Sequence, residues 1–380
     1  MNNLKKIKVL HVYRSMNLGG AETFIMNVFK KIDRSMVQFD FLCTTNELGV
    51  YDDEIIKMGG NILHYNTFYK NNPYKMIRDT IGIINENGPY DIIHIPLQFY
   101  SAFYCIAAKK SGINKIIVHS HSAGDKRSKH IFRKIYMKIM RLIINRFSDV
   151  RIACGEKASK YLFGTTKDVI IIYNGIDIDK FKNVCKNDIT KIKCKYKIKN
   201  ELIIGHVGRF ADEKNHVFFI DIAKTLRKRG INFKILFVGD GPNYNNIREL
   251  VSENKLEDFF VFVGLQKKTE LFYSLFNVYV LPSLYEGFPV SVIEALASGV
   301  PCILSDTITK EVDIIKGTCS FIDIHRDVDY WCDEILRISR IKFDKNINYE
   351  VLNNSGFSVE STSKQILDIY KEGLDKNEKM

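Results

Sequence analysis

The feature that most constrains this chain is an alternation, run through twice, of short apolar β-branched segments with amphipathic stretches. In the first half the apolar runs are Ile7–Tyr13, Gln38–Thr44, Asn61–Tyr65, Asp91–Ile95, Lys115–Ser120, Val150–Ala153 and Val169–Tyr173. The pattern breaks after Asn174–Gly175 into a polar, lysine-rich stretch. It then restarts with strands at Leu202–Val207, Phe233–Val238, Phe259–Val263, Val278–Pro282, Pro301–Leu304 and Ser320–Ile322. Helical spacing falls at about His216–Arg229, Asn243–Glu253, Thr269–Phe276, Val290–Ala297 and Val328–Ser339. Strands that alternate with helices, and that are apolar throughout, predict doubly wound parallel sheets buried on both faces. The fold class expected is therefore α/β, in two Rossmann-like domains. Their boundaries are residues 1–176, a linker at 177–200, and 201–358. A final amphipathic helix at 359–380 is placed to cross back to the first domain, and this helix and the linker are the hinge candidates.

Length fits that division, since 380 residues exceed one ordinary core. No run reaches the roughly 18 apolar residues of a membrane span. Arg14 ends the first apolar run too early for a secretory leader, and no small-residue cleavage site follows. The eight cysteines are scattered, with no CxxC pair and no metal spacing, which points to a reducing cytoplasm. A formal net charge of +12 favours anionic partners such as nucleotide phosphates, acidic lipid or nucleic acid. Nucleic acid ranks last, because no basic platform interleaved with aromatics appears.

In open α/β sheets ligands bind beyond the carboxyl ends of the strands, so the loops there carry the candidate chemistry. Glu286-Gly-Phe-Pro-Val-Ser-Val-Ile-Glu294 follows one strand and opens a helix near Pro289, a residue suited to a first helical turn. Gly287 lets backbone approach a ligand, and the helix N-terminus is an anion site. Glu286 and Glu294 stand eight residues apart. Each carboxylate can accept from hydroxyls on a different part of one ligand, or else they are a surface Glu and a capping Glu. Gly205-His-Val-Gly-Arg-Phe-Ala-Asp-Glu-Lys-Asn-His216 supplies Arg209 and Lys214, which can hold phosphate oxygens or stand as solvated cations. Phe237-Val-Gly-Asp-Gly-Pro242 offers Gly239 and Gly241, Val263-Gly-Leu265 offers Leu265, and Met16-Asn-Leu-Gly-Gly-Ala-Glu22 offers Gly19 and Gly20. The last is not GxGxxG, so a dinucleotide site is poorly supported. Val118-His-Ser-His-Ser122 places His119 and His121 after a strand, and Ala153-Cys-Gly-Glu156 places Glu156 at a helix start.

The run Val280-Leu-Pro-Ser-Leu-Tyr-Glu-Gly-Phe-Pro-Val-Ser-Val-Ile-Glu-Ala, continued by Ala297-Ser-Gly-Val-Pro-Cys-Ile-Leu-Ser-Asp306, resembles the E-x7-E segment of retaining glycosyltransferase family 4. The resemblance extends from about Val9 to Tyr370. With "GGAE", "HSHS", "ACGE", "LFG" and "LPSLYEGFPV" it is nearest in flavour to exopolysaccharide and capsule transferases of the EpsF type. It implies the GT-B fold, two facing Rossmann-like domains with the active site in the cleft. It also implies a nucleotide-sugar donor, UDP by family habit, and a saccharide or lipid-linked acceptor. Arg209 and Lys214 would bind the donor diphosphate, and Gly19, Gly20, Gly239, Gly241, Leu265, Gly287, Phe288, Pro289 and Val290 would line the donor site. Glu294 would hold the ribose and Glu286 the sugar. His121, with Arg209, Lys214 and Glu286, would serve the reaction, and His119 and Glu156 would stand on the acceptor side. Asn174 and Gly175 would shape the turn at the domain junction. No cofactor and no metal are expected. Two other functions stay open on the residues: a non-catalytic nucleotide- or sugar-binding partner, which would not need this set intact, and a nucleotide-sugar epimerase.

Residues 126–151 carry nine basic side chains (Lys126, Arg127, Lys129, Arg133, Lys134, Lys138, Arg141, Arg146 and Arg151) interleaved with large apolar ones. The spacing predicts an amphipathic helix with Arg127, Lys134, Lys138 and Arg141 on one basic face. Such a helix suits an anionic membrane surface, or else packs into a core with its charges solvated. The first alternative places the protein at the inner face of the cell membrane.

Overall fold

The structure is a computed structural model that describes residues 6–67, 69, 72–122, 124, 131–341 and 343–372. The chain divides into two compact units, residues 1–175 with 359–380 and residues 176–358. In chain order the strands are β1 Ile7–Tyr13, β2 Val37–Cys43, β3 Asn61–His64, β4 Ile92–Ile95, β5 Lys115–Ser120, β6 Val150–Ala153, β7 Ile170–Ile171, β8 Leu202–Val207, β9 Phe233–Val238, β10 Phe260–Gly264, β11 Val278–Leu281, β12 Cys302–Ser305 and β13 Cys319–Ile322. The helices are α1 Gly20–Lys31, α2 Asp52–Lys57, α3 Pro73–Asn87, α4 Ser101–Lys110, α5 Ile131–Phe147, α6 Glu156–Phe163, α7 Ile178–Lys182, α8 Lys186–Lys195, α9 Phe218–Lys228, α10 Tyr244–Glu253, α11 Glu270–Tyr273, α12 Val290–Ala297, α13 Val328–Ile338, α14 Lys345–Asn354 and α15 Val359–Lys371.

The first unit holds a seven-stranded parallel sheet in the order β3-β2-β1-β4-β5-β6-β7. Strand order reverses at β1 and β4, which makes their carboxyl ends the switch point. Val9, Phe39, Phe41, Ile92, Ile117 and Ile152 form one face of this sheet and pack with Phe24, Ile25 and Val28 of α1 and with Ile366, Ile369 and Tyr370 of α15. The C-terminal helix is thus core material of the first unit. Lys115 donates through Nζ to the carbonyls of Ile369 and Glu372, and Thr362 Oγ1 donates to Tyr173 O at 3.3 Å.

The second unit holds six parallel strands in the order β10-β9-β8-β11-β12-β13, with its switch point at β8 and β11. Its core joins Ile204, Ile235, Phe237, Val278 and Ile303 of the sheet to Phe219, Ile222 and Leu226 of α9 and Trp331 and Ile335 of α13. Residues 177–200, expected as an irregular linker, instead carry α7 and α8, and the stretch belongs to this unit. Phe181 is buried and meets Tyr273 of α11 edge-on at 5.8 Å, which ties α7 down. No residue of α8 is buried, so it shows no apolar stripe for sequence periodicity to find. α14 also escapes the pattern. Its inward positions include Asn348, whose Nδ2 donates to Leu296 O at 2.8 Å, one turn before the fully buried Leu352. A polar residue on the buried face erases the apolar repeat. Among the described residues no helix is long and apolar enough to cross a membrane.

Candidate functional site

In the second unit the loops beyond β8 and β11 meet at the switch point. The β8 loop runs through Arg209 into a helical turn at Asp212–Lys214, and the β11 loop runs through Glu286 into α12. Leu284 N donates to Glu213 O at 2.8 Å, so backbone joins the two loops. Lys214 Nζ lies 2.6 Å from Glu286 Oε1, and Ser283 Oγ donates to the same oxygen at 2.7 Å. Both charges are mostly withdrawn from solvent, with side-chain exposures of 16% and 12%. At such burial one partner alone would be costly, so the pair is the stable form and each member fixes the other's position. Arg209 by contrast is exposed, a cation with room to swing onto an incoming anion.

The glycines of the β9 loop explain how the loops come so close. A Cβ on Gly239, whose φ is +145°, would sit 2.0 Å from Gly208 O. One on Gly241 would sit 2.6 Å from Phe210 O. Gly208 N donates to Val238 O and Phe210 N to Asp240 O, each at 3.0 Å. These glycines therefore serve the approach of one loop's backbone to another's, where the sequence pointed to approach of a ligand. Leu265, just past β10, is 57% exposed.

Pro289 takes the N-cap position of α12, one residue before the helix, where the sequence suggested its first turn. No side chain caps that N-terminus. The Phe288 ring is buried and stacks on Phe357 at 5.6 Å, so only its backbone faces the loop, beside Gly287 and the half-buried Val290. Glu294, one turn into α12, accepts from Tyr273 Oη at 2.8 Å. Burial pushes its carboxyl up to about 7, against the Tyr273 hydrogen bond and with help from the Glu270 charge. A carboxyl poised there ionises at little cost when a ligand brings hydroxyl donors.

In the first unit Gly19 is the N-cap of α1 and Gly20 its first residue. A Cβ on Gly20 would meet nothing, but one on Gly19 would stand 2.2 Å from Glu22 Oε2. The missing side chain at Gly19 makes room for the chain's own carboxylate at this helix N-terminus. Glu22, part of the quoted motif but given no role, is the residue overlooked there; burial raises its carboxyl. An acidic third helical residue behind a glycine cap was the available clue.

His119 is fully buried and hydrogen-bonded by Nδ1 to His94 Nε2 at 3.2 Å, so it stands behind the surface and offers nothing to an acceptor. His121, just past β5, is half-buried and lies against His119 with ring centroids 3.9 Å apart and the rings tilted by 31°. Burial lowers its pKa to about 3, and among the described residues neither of its ring nitrogens has a hydrogen-bond partner. Glu156 opens α6 behind its N-cap Gly155. It is exposed, with Lys160 at 3.3 Å, and among the described residues it is paired with no histidine.

The basic helix is α5, and its faces differ from the expectation. Lys126, Arg127 and Lys129 lie outside the described residues. Arg141 turns inward, where Nε donates to Leu162 O at 3.1 Å and Nη2 to Tyr161 O at 2.8 Å. Its guanidinium thereby closes the carboxyl end of α6, so Arg141 leaves the basic face. What points outward is apolar: Ile131 (64%), Phe132 (83%), Ile135 (51%), Ile139 (48%) and Leu142 (64%) are exposed, beside exposed Lys134 and Lys138.

Two parallel α/β units of this connectivity, with a lysine–glutamate pair and an uncapped helix N-terminus at one switch point, define a transferase of the GT-B class. Residues 188–340 match the family described as "Glycosyl transferases group 1", and residues 18–180 match "Glycosyltransferase Family 4". EpsF of Bacillus subtilis (strain 168), named as a glycosyltransferase, is 34% identical over 99% of both chains. The UDP-Gal:alpha-D-GlcNAc-diphosphoundecaprenol alpha-1,3-galactosyltransferase of Escherichia coli is 23% identical over 96% of this chain and 97% of its own. Among solved structures, HepE of Anabaena in complex with UDP superposes with a TM-score of 0.77 at 16% identity, covering 95% of this chain and 99% of its own. The chain belongs to the group 1, family 4 glycosyltransferases.

Proposed function

We propose that this glycosyltransferase moves a sugar, with retention and without a metal, from a UDP-sugar to a saccharide or lipid-linked saccharide acceptor in surface-glycan biosynthesis. The observation that carries this is the Lys214–Glu286 pair at the switch point of the second unit. Lys214, exposed Arg209 and the N-terminus of α12 supply positive potential from three directions, which suits a leaving diphosphate whose charge grows in the transition state. Glu286, held by Lys214 and Ser283, positions the sugar; Glu294 accepts from the ribose hydroxyls; Leu265 covers the base. His121 stays neutral and hydrogen-bonds a hydroxyl of the transferred sugar. UDP is favoured because HepE was solved with it. A lipid-linked acceptor is favoured because the Escherichia coli relative is named for a diphosphoundecaprenol acceptor.

The donor assignment is tested by incubating the purified chain, with a membrane extract as acceptor source, with UDP-, GDP- and ADP-sugars and measuring released nucleoside diphosphate, with and without EDTA. Release from one donor, lost in Glu294→Ala and indifferent to EDTA, is expected. Release abolished by EDTA and restored by a divalent cation contradicts metal independence; no release and no nucleotide binding contradicts the donor site.

We further propose that the enzyme works on the cytoplasmic face of the membrane, docked through α5. Its outward apolar stripe suits insertion at the headgroup boundary, and each flanking lysine adds about 1 kcal/mol at an anionic surface. Vesicles containing anionic lipid should co-sediment the protein, and Ile135→Asp with Leu142→Asp should release it. Absence of binding at low salt would contradict the docking.

A further inference from the structure

Three buried polar side chains in the first unit, Tyr370, His94 and His119, form a path that leads to the half-buried His121 and that the donor chemistry does not itself use. Alternate residues of a strand share a face, and in β1, β4 and β5 that face includes His11, His94 and His119, beneath α1 and α15. His11 and His94 are register partners. Tyr370, near the end of α15, reaches across this face and sets its hydroxyl 2.8 Å from His94 Nδ1. His94 Nε2 is 3.2 Å from His119 Nδ1. The His119 ring lies against His121, and Phe24 of α1 meets the two imidazoles at 4.9 and 5.2 Å.

The direction of the hydrogen bonds follows from satisfaction. Among the described residues His94 is the one hydrogen-bond partner of the Tyr370 hydroxyl. Burial holds that phenol in its protonated form, so it has a proton to donate. If His94 Nδ1 donated instead, two buried groups would be left without a partner, the phenol proton and the bare His119 Nε2, against one, the His119 Nε2–H, when the phenol donates. Tyr370 therefore donates to Nδ1, His94 carries its proton on Nε2, and that proton goes to His119 Nδ1. His119 in turn carries its proton on Nε2, an atom with no protein partner, on the ring that braces His121.

We propose that Tyr370 and His94 are positioning residues: the C-terminal helix fixes the tautomer of His119 and thereby the orientation of His121. Lys115, through its hydrogen bonds to the last turn of α15, keeps the Tyr370 hydroxyl within reach. The path ties the end of the chain to the strand-end histidine, although about 250 residues separate Tyr370 from His121. The consequence for turnover rests on the transferase function proposed above; the consequence for the imidazoles does not.

The test is Tyr370→Phe, which removes one oxygen and keeps the ring, in protein labelled with 15N and 13C at histidine. In the wild type, ring nitrogen shifts should show His94 and His119 as single Nε2–H tautomers. The variant should show tautomer mixtures at both, with displaced His121 ring resonances. In the transferase assay kcat should fall about tenfold with the donor KM unchanged, as expected when a reacting group is misplaced and binding is intact. Combining Tyr370→Phe with His121→Ala should cost no more than His121→Ala alone. His94→Asn should reproduce the His121 displacement. Unchanged tautomers, or unchanged His121 resonances, would overturn the proposal, as would a kcat loss that persists in the His121→Ala background. Should no donor be turned over, the resonances still decide it, so its failure and that of the transferase reading are separable.

Discussion

The loops beyond β8 and β11 and the strand ends of β4 and β5 place polar groups in comparable positions, at the carboxyl ends of parallel strands, by opposite means. In the second unit the groups are a charged pair and a cation on loops, backed by glycines that let neighbouring backbones nearly touch. In the first unit they are neutral imidazoles on the strands themselves, in the sheet's apolar layer, with a tyrosine from the last helix as anchor. A charge near the surface can meet a charged ligand with little reorganisation. A buried imidazole is costly unless its partners are in place, and its use is to hold one geometry. The second unit's groups thus suit the charge stabilisation proposed for them, and the first unit's suit the holding of an orientation.

Lys214→Ala should show the contrast at its largest. It removes the cation proposed to hold the donor phosphate and takes from Glu286 its charged partner, so turnover should fall about 10²–10³-fold by donor release. A loss of less than tenfold would deny the pair its electrostatic role.

Acid should then separate the units. Burial lowers the pKa of His11, His94, His119 and His121 in the first unit and of His206 and His216 in the second. Each folded pKa lies below the unfolded value of 6.5, so the stability these groups contribute is present above pH 6.5 and lost as pH falls below it. Each fully buried imidazole should cost about 1 kcal/mol from pH 6.5 to 5.5. Glu294 works the other way in the second unit, since its raised pKa favours the folded state as pH falls through about 7; buried Glu22 does so in the first. With the histidine excess in the first unit, hydrogen exchange there should accelerate more steeply than in the second. Equal acceleration would break the comparison.

In the proposed role Glu294 accepts from two ribose hydroxyls at once, for which the ionised carboxylate is the better partner. With its carboxyl at about 7, donor affinity should tighten about tenfold from pH 6 to pH 8. Titration calorimetry across that range checks this, and Glu294→Gln should flatten the profile. The smallest effect is expected at Leu265, where replacement by Ala should weaken donor binding roughly threefold through lost apolar cover over the base.

Much of this was legible in the sequence, for reasons that particular residues show. The thirteen strands stood out because parallel strands buried on both faces are continuous apolar runs. Arg209, Lys214, Glu286 and Glu294 were singled out through the resemblance of their motifs, since spacing alone left them equally readable as solvated or capping charges. The Lys214–Glu286 contact joins residues 72 apart, and no local spacing reveals it. His94 and Tyr370 are 276 apart, and each reads alone as a core residue. α14 hid behind Asn348. The outward face of α5 was misjudged because a helical wheel shows which residues share a face but not which face is buried; Arg141 bonding to the carboxyl end of α6 settled that.

The most direct measurement is calorimetric titration of UDP into the wild-type chain, Lys214→Ala and Tyr370→Phe at pH 7.5, with circular dichroism confirming the fold of each. The wild type should bind at one site, Lys214→Ala should bind about a hundredfold more weakly, and Tyr370→Phe should bind as the wild type does. UDP binding untouched by Lys214→Ala, or lost in Tyr370→Phe, would contradict a donor site centred on the charged pair of the second unit.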